Sequence, residues 1–437
     1  MYRSILAILE NKAITVQTIL TLAGAAALLL HSQNPQADPG FEVHEWGTFT
    51  SLQDPRGKML TGMHYDDEKL PDFVHSREKD ATAAAGSRPF QLVNHLARRP
   101  SGCEGKGCDF ALDRPEFQVT QKMETPVIYF YSQQERDVQV NVKFPGGLIT
   151  QWFPQAASYA PAAGAAQSLA GGDMTWNVHV SNQTLPVPAT APDSIWNPSR
   201  EVQANYITAG GENERLIFYR GLGNFGTGLT IDSTDGKGAL RITNSSLLRV
   251  PSAILIRVTD QGGAVVNLGS LSPGSNRVQA SAASLRNVLP MNEYLAQATQ
   301  MVQVELEKSG LFPLEAQAMV NTWKQSYFLT PGYRLLYVLP RDWTDGLLPM
   351  QVTPAPTKLV RTLVGRVEIF GRVEQRQLIQ ALQADQIGGG NGHAIADVLG
   401  RFAEPKLRSA LEEASTTKVI AEYVDYLQAL IDRASQQ

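Results

Sequence analysis

The spacing of apolar and polar positions changes along the chain and predicts two kinds of structure. From residue 125 to about 272, short runs of β-branched and aromatic residues alternate with turn clusters, as in VQVNVKF and LTIDST. A period of two is typical of strands with one solvated face. The run PSAILIRVTDQGGAVVNLGS predicts a hairpin. Many short strands at regular spacing predict an antiparallel β-sandwich-like body.

After Pro290 the apolar positions take a helical period. The runs MNEYLAQATQMVQVELEKSGL and PLEAQAMVNTWKQSYF predict a helical insertion near residues 291–328. Strands return in YRLLYVLP and LVRTLVGRVEIF, and the remaining chain is helical. The fold class is therefore mainly β with α (α+β). We expect a β-rich body with His-rich N-terminal loops (38–290), a mixed segment packing on it (291–372) and an α-helical C-terminal cap (373–437).

The N-terminus, residues 1–37, predicts a signal peptide or a signal anchor. Residues 13–30 carry no charge, and their length lies between a long signal segment and a short transmembrane helix. Ala37 is the best candidate for cleavage, but no clear cleavage box is present. We therefore expect a periplasmic or secreted protein, either released or anchored to the inner membrane by residues 13–30.

The two cysteines fit an oxidising compartment. Cys103 and Cys108 lie in CEGKGC, where two glycines allow the chain to close a small ring. We expect a disulfide between them. A two-thiolate zinc site is the alternative, but the second ligand pair typical of such sites is missing.

Composition agrees with a turn-rich exported protein and argues against nucleic acid as a partner. Of the 437 residues 43% are hydrophobic and 18% charged, with 36 Gly and 25 Pro. The formal net charge is −4, and no basic patch stands out.

Several motifs occur in order along the chain: HEWGTFTS, METPVIYFYS, LIFYRGLGNF, AMVNTWKQSYF, RLLYVLPRDWTDGLLPM and LVRTLVGRVEIF. With them, most of residues 41–372 resembles a family of exported bacterial proteins that share these motifs. The resemblance implies export and a Gram-negative-type source. It implies no reaction and no catalytic residue, because no activity is associated with that family.

The motif HEWGTFTS does not fit a zinc protease, which needs a second histidine four residues after the first on a helix. The fourth residue after His44 is Thr48. The glycine, threonines and aromatics indicate a strand instead, with His44, Trp46, Thr48 and Thr50 on one face and Glu45 on the other. A bulge at Gly47 is the alternative that would bring His44 and Glu45 together.

A metal centre is one hypothesis for the N-terminal loops. His44, His64 and His75 fall in the first quarter of the chain, and Glu45 is the candidate catalytic base. A mixed set of histidine and carboxylate ligands suits one divalent transition metal, namely zinc, manganese or iron. With an open coordination position, such a site would support a hydrolase or an oxidase.

Arginines within apparent strands suggest binding of an anionic or polar ligand. A buried arginine needs a carboxylate, for which Glu124, Glu45 and Asp342 are candidates, and otherwise fixes how the sheets pack. An arginine can also recognise anions or sugars as a planar donor. The candidate ligand-binding residues are Trp46, Glu124, Arg220, Asn224, Arg341 and Asp342.

Three functions follow as alternatives. The first is a ligand-binding or scaffold protein of the envelope, with a sugar or other anionic or polar ligand in an aromatic and arginine-lined cleft; Trp152, Trp176 and Trp196 are candidate stacking platforms. The second is the metal-dependent hydrolase or oxidase. The third is a protein that binds a partner through its C-terminal helices, which would expose an apolar stripe on residues 405–432.

Overall fold

The structure is a computed structural model. It describes residues 38–63, 65–66, 69–77, 79, 118–162, 168–233, 239–274, 279–280, 285, 287–416 and 421–435. The predicted signal segment, His64 and the cysteine pair lie outside these ranges. None of the helices within them combines the length and apolar character needed to span a bilayer.

The described residues form strands over most of the first two thirds of the chain and again before residue 370. The strands are β1 (Asp38–Gln53), β2 (His75–Ser76), β3 (Gln121–Met123), β4 (Val127–Ser132), β5 (Arg136–Phe144), β6 (Gly147–Phe153), β7 (Ser158–Ala160), β8 (Gly172–Ser181), β9 (Tyr206–Ala209), β10 (Glu212–Glu214), β11 (Ile217–Gly223), β12 (Leu229–Asp232), β13 (Leu240–Asn244), β14 (Val250–Thr259), β15 (Gly262–Leu271), β16 (Gln279–Ala280), β17 (Leu289–Pro290), β18 (Gly332–Val338), β19 (Met350–Thr353) and β20 (Pro356–Ile369).

Helices occupy the two regions where the sequence predicts them, and two short helices, at Asn197–Arg200 and Arg341–Leu347, lie elsewhere. They are α1 (Asn197–Arg200), α2 (Met291–Lys308), α3 (Pro313–Trp323), α4 (Arg341–Leu347), α5 (Arg372–Ile387), α6 (His393–Leu399), α7 (Ala403–Thr416) and α8 (Ala421–Ala434), with a π-helical segment at Lys324–Leu329 and a 3-10 turn at Gly400–Phe402. The helical insertion and the C-terminal helical cap are thereby confirmed.

Two large sheets pack face to face, which confirms the sandwich-like body. The larger sheet has the order β17-β15-β14-β18-β20-β1-β3-β11-β6-β2, and β4 pairs with β1 and β11. The smaller sheet has the order β10-β9-β8-β5-β19, with β7 on β8. Alternate apolar residues of β5 and β8 meet those of β1, β4 and β11 in one core. The predicted hairpin is β14 and β15.

The centre of the larger sheet is a parallel pair, β1 and β20, in an otherwise antiparallel sheet. Their register runs without interruption from Glu42 opposite Lys358 to Gln53 opposite Ile369. The predicted boundary at residue 290 therefore does not divide the fold, because β18 and β20 complete the middle of the sheet. Ten successive residues of β20 are buried, so its sequence lacks the alternation that would identify its place.

Helices cover the face of the larger sheet that points away from the sandwich. The insertion, α2, α3 and the π-helical segment, packs over the middle strands, and the C-terminal helices pack beside it. In β1, Val43 and Phe49 point into the sandwich, whereas Trp46 points to the helices. The alternation predicted for HEWGTFTS is therefore confirmed. A bulge at Gly47 is not formed, since the register is continuous there.

Candidate functional site

Charged and hydroxyl side chains replace apolar packing at the centre of the helix-covered face. Thr50 of β1 lies directly opposite Lys122 of β3 and Arg366 of β20, so these side chains share a face. Five adjacent strands or their ends contribute side chains that are more than nine-tenths buried. We call this group the polar layer; its sheet residues are Thr48, Thr50, Lys122, Glu124, Arg220, Arg334, Arg366 and Glu368.

One end of the polar layer is held by Glu368. Its carboxylate contacts the Nε atoms of Arg366 at 2.6 Å and Arg334 at 2.8 Å. Burial alone would raise the pKa of Glu368, but the two guanidinium groups outweigh it and lower this pKa to about 2. Arg334 also donates to the main-chain oxygen of Tyr327, at 2.5 Å, in the π-helical segment above the sheet. This end is a buried ion network.

The other end joins the sheet to a loop and to the helical cap. Asp66 contacts Lys122, and it contacts Arg220 Nη1 at 2.9 Å. Arg220 Nε donates to the main-chain oxygen of Glu124 at 2.7 Å. Arg401, from the 3-10 turn of the cap, contacts the Glu124 carboxylate at 2.6 Å. Three elements distant in sequence are therefore tied together by charge.

Burial and neighbouring charge act in opposite directions on the pKa values here. Burial alone would raise the pKa of Glu124, but Arg401, Lys122 and Arg220 hold it below its usual value. The pKa of Asp66 is likewise lowered: burial opposes the shift, and Arg220 and Lys122 outweigh it. Burial lowers the pKa of Lys122, against the attraction of Asp66 and Glu124. Both carboxylates are thus ionised at neutral pH.

Three hydroxyl groups lie at the middle of the polar layer without a hydrogen-bond partner: Thr48 Oγ1, Thr50 Oγ1 and the Tyr327 hydroxyl. The two threonines face Tyr327, and the Arg366 guanidinium lies 4.2 Å from the centre of its ring. Burial raises the pKa of Tyr327 to about 12, against the effect of Arg366. A buried polar atom without a partner is costly, which makes these hydroxyls candidates for ligand contact.

The polar layer is rich in basic side chains. Among the described residues it contains three carboxylates, Asp66, Glu124 and Glu368. These carboxylates contact basic side chains of the sheet and the cap: Lys122, Arg220, Arg334, Arg366 and Arg401. Such an arrangement can hold an anion by charge-assisted hydrogen bonds.

A small cavity adjoins the layer. Its volume is about 20 Å³, and Thr125, Phe218 and Thr322 are among its lining residues. The Arg220 guanidinium lies 5.9 Å from the ring centre of Phe218. The space suffices for about one water molecule. A wider groove of about 530 Å³ lies between residues 69–73 and 189–195.

His44 belongs to a different cluster, where β1 meets α3. Its Nδ1 lies 2.8 Å from Glu315 Oε2, and its Nε2 lies 3.4 Å from Glu42. Glu315 also accepts hydrogen bonds from the Tyr131 hydroxyl at 2.8 Å and from the Phe312 main-chain N–H at 2.7 Å. The imidazole is fully buried and joins the strand to the start of the helix.

Glu45, the predicted catalytic base, lies in the sandwich core on the opposite face of β1. Its carboxylate contacts Arg361 Nε at 2.6 Å and accepts a hydrogen bond from Tyr219. Arg361 also contacts Asp345 at 2.8 Å. The Glu45 side chain has no exposed surface, and the structure does not bring it together with His44. Its role is to neutralise Arg361.

The predicted metal ligands do not converge. His75 lies in β2, where it contacts Glu212 at 2.9 Å and stacks on Trp152. From β2 to β1 there are four strand spacings, which is roughly 19 Å at about 4.8 Å each. His44 and His75 therefore cannot share one ion. No group of three or more histidine, cysteine or acidic side chains suited to a metal occurs within the described ranges.

The structure brings together two of the six predicted ligand-binding residues, Glu124 and Arg220. Trp46 is fully buried beneath the helical insertion. Asn224 is exposed and accepts a hydrogen bond from Thr120 at 2.9 Å. Arg341 and Asp342 lie at the exposed start of α4, where Arg341 contacts Asp345 at 2.7 Å. The four residues outside the polar layer do not form a common cleft with it.

The three tryptophans proposed as stacking platforms lie inside the protein. Trp152, Trp176 and Trp196 are almost completely buried and pack in the apolar cores. Their indoles are therefore not exposed stacking platforms for a sugar.

In the C-terminal helices, the apolar side chains of residues 405–432 that the structure describes pack inward. Leu407, Leu427 and Leu430 are examples. No large apolar side chain is strongly exposed in the described part of that range. The exposed stripe expected of a partner-binding surface is thus buried in the cap.

Sequence reasoning missed most of the polar layer: Thr48, Thr50, Asp66, Lys122, Tyr327, Arg366 and Arg401. One signal was available. Charged residues interrupt strands that are otherwise apolar, as in QKMETPVIYF and LVGRVEIF. A charge flanked on both sides by buried strand residues points to an internal ion network.

A scan against protein-family models found no match to the chain, and a search of curated proteins found none either.

Proposed function

We propose that the protein is an exported envelope protein that binds a small anionic ligand in the polar layer. Export is supported by the uncharged segment at residues 13–30 and by the low content of charged residues. The binding function is supported by one observation above all. Buried basic side chains lie beside three buried hydroxyls that have no hydrogen-bond partner.

The unpaired hydroxyls have a physical cost that ligand binding would offset. An unpaired buried hydroxyl destabilises a fold by about 1–3 kcal/mol. A ligand in the polar layer would accept hydrogen bonds from Thr48, Thr50 or Tyr327. An anion would in addition be attracted by the basic side chains nearby, because hydrogen bonds between charged groups are stronger than neutral ones. A neutral sugar would satisfy the hydroxyls without that additional attraction.

The metal-dependent alternative has less support. It requires ligands around one ion, and His44 and His75 instead hold Glu315 and Glu212 in separate clusters. We therefore assign no metal to the proposed function.

The test is a thermal-denaturation screen of the purified protein with phosphate, sulfate, acetate and succinate against uncharged glucose and N-acetylglucosamine. We expect at least one anion to raise the melting temperature in a saturable way, and the neutral sugars to leave it unchanged, because only a ligand that prefers the folded state stabilises it. Stabilisation by the neutral sugars alone would contradict the proposal.

A matched pair of variants locates the site. Tyr327→Phe removes an unpaired hydroxyl within the polar layer, and Tyr423→Phe removes an unpaired buried hydroxyl on α8 in the C-terminal cap. Both variants should fold, because each keeps the buried aromatic ring and removes only its hydroxyl. Only Tyr327→Phe should reduce the stabilisation by the anion. An equal effect in both would place the ligand elsewhere.

A further inference from the structure

The turn between α5 and α6 of the C-terminal cap contains Asn391-Gly392, which is the one Asn-Gly pair in the sequence. In such a pair the main-chain nitrogen of the glycine can attack the side-chain amide carbon of the asparagine, because glycine has no side chain to hinder the approach. Asn391 is exposed, whereas Gly392 is buried against Tyr426 and Leu430 of α8. Water therefore reaches the asparagine, while packing holds the glycine in place.

A carboxylate contacts the nucleophile of this reaction. The Gly392 main-chain N–H donates a hydrogen bond to Asp385 Oδ2 at 2.7 Å. The same oxygen accepts a hydrogen bond from the Tyr426 hydroxyl at 2.8 Å, which fixes its position. A carboxylate within hydrogen-bond reach of the proton that it must remove meets the geometric condition for a general base. The N–H bond lies in the plane of the peptide group, so the hydrogen bond does not occupy the faces of the nitrogen through which a carbon atom approaches.

A second main-chain group holds and polarises the electrophile. Asn391 Oδ1 accepts a hydrogen bond from the His393 main-chain N–H at 3.1 Å. The ring that this hydrogen bond closes includes both the side-chain amide carbon of Asn391 and the nitrogen of Gly392, so the reacting atoms are kept near each other. The same N–H would stabilise the negative charge that develops on Oδ1 when the nitrogen adds to the carbonyl group. Nucleophile, base and oxyanion donor thus lie in one turn.

We propose that Asn391 is a site of self-catalysed modification, at which the fold converts the asparagine to aspartate or isoaspartate through a succinimide. A bond forms between the Gly392 nitrogen and the Asn391 side-chain carbon, and Asp385 takes the proton from that nitrogen. The bond from this carbon to Nδ2 breaks, and Nδ2 leaves as ammonia with the proton returned by Asp385. Water then opens the five-membered ring at one of its two carbonyl carbons and leaves a carboxylate. The change consumes only water.

Asn244 provides an internal comparison. Its Oδ1 also accepts a hydrogen bond from a main-chain N–H two residues further along, that of Ser246, at 3.1 Å. The N–H of the intervening Ser245, however, donates to the main-chain oxygen of Gly228 at 2.8 Å rather than to a carboxylate. Asn244 therefore has the oxyanion donor without the base, and it should stay unconverted while Asn391 reacts.

The experiment is incubation of the purified protein at neutral pH and physiological temperature, followed by peptide mass spectrometry, which reports the conversion of an amide to an acid at each asparagine. Asp385→Asn keeps an acceptor for the Gly392 N–H but removes the base. We expect this variant to convert Asn391 about tenfold more slowly than the parent, or slower still. Glu374→Gln is the matched control, because it removes the same charge from the same helix, where Glu374 contacts Lys406 at 2.5 Å. It should convert Asn391 at the parent's rate.

The contrary results are equally defined. Conversion in Asp385→Asn at the parent's rate would show that the carboxylate is not the base, and faster conversion would show that its hydrogen bond protects the asparagine; either overturns the proposal. Absence of conversion in the folded parent overturns it as well. If Asp385→Asn does not fold, the parent alone decides. The folded protein should convert Asn391 faster than the same protein in urea, where the contacts with Asp385 and His393 are lost, and the reverse order would contradict the proposal.

Discussion

The buried contact between Glu45 and Arg361 gives the sharpest stability prediction. The two side chains are 0% and 1% exposed, and their atoms approach to 2.6 Å within the sandwich core. Glu45→Met leaves Arg361 with the partly exposed Asp345 as its carboxylate, whereas Arg361→Met leaves Glu45 with the Tyr219 hydroxyl. Each single variant therefore leaves a charge in the core without its main partner.

The expected magnitudes follow from what each variant leaves unpaired. Removal of one partner of a buried ion pair costs about 3–5 kcal/mol. The cost of Glu45→Met should lie near the lower end of this range, because Arg361 retains its contact with Asp345. The double variant removes both charges and leaves mainly the Tyr219 hydroxyl without its acceptor, a cost of about 1–3 kcal/mol. The double variant should thus cost less than the sum of the singles by at least about 2 kcal/mol.

The assay is urea denaturation followed by tryptophan fluorescence and circular dichroism, which must give coincident transitions. Arg341→Met is the control, because its contact with Asp345 is 44% and 45% exposed and should contribute less than about 1 kcal/mol. Two results would refute the role given to this pair. One is a cost of the double variant equal to the sum of the two single costs, and the other is a cost of Glu45→Met no larger than that of Arg341→Met.

Two further predictions concern packing and acid stability. Gly365→Ala should destabilise the fold by about 1–3 kcal/mol in urea denaturation, because its new methyl group would lie 2.1 Å from the ring of Tyr337; an unchanged midpoint would contradict this packing. The pKa of Glu368 is about 2 in the folded protein, below its unfolded value, so its contribution is present above about pH 4.5 and lost as pH falls toward 2. Glu368→Gln should lose stability at pH 7 and show a smaller further loss on acidification, whereas an unchanged acid profile would refute this assignment.

The local elements were predictable because their signals are local. Period-two alternation identified β5, and Gly-rich turn chemistry identified the β14–β15 hairpin. The helical period after Pro290 identified α2 and α3. The alternation in HEWGTFTS placed His44 and Glu45 on opposite faces. Each of these features depends on residues within about ten positions of one another.

The central strand pairing and the polar layer were not predictable in this way. Glu45 and Arg361 are separated by 316 positions, and no local pattern specifies that their strands run side by side. The carboxylate partner of Arg220 was sought at Glu124, Glu45 or Asp342, but it is Asp66, because a loop returns across the sheet. A charged residue in a sequence is normally assigned to the surface. A buried charge is therefore recognised only once its partner is known.

The most direct test of the central claim is titration calorimetry of the most stabilising anion against the parent protein, Thr50→Val and Thr344→Val. Both threonine hydroxyls are buried and unpaired, but Thr50 lies in the polar layer and Thr344 in α4. The account predicts one site per molecule, weakened about tenfold or more by Thr50→Val through loss of a hydrogen bond to a charged ligand, and unchanged by Thr344→Val. Equal affinity in all three proteins, or no binding to the parent, would contradict it.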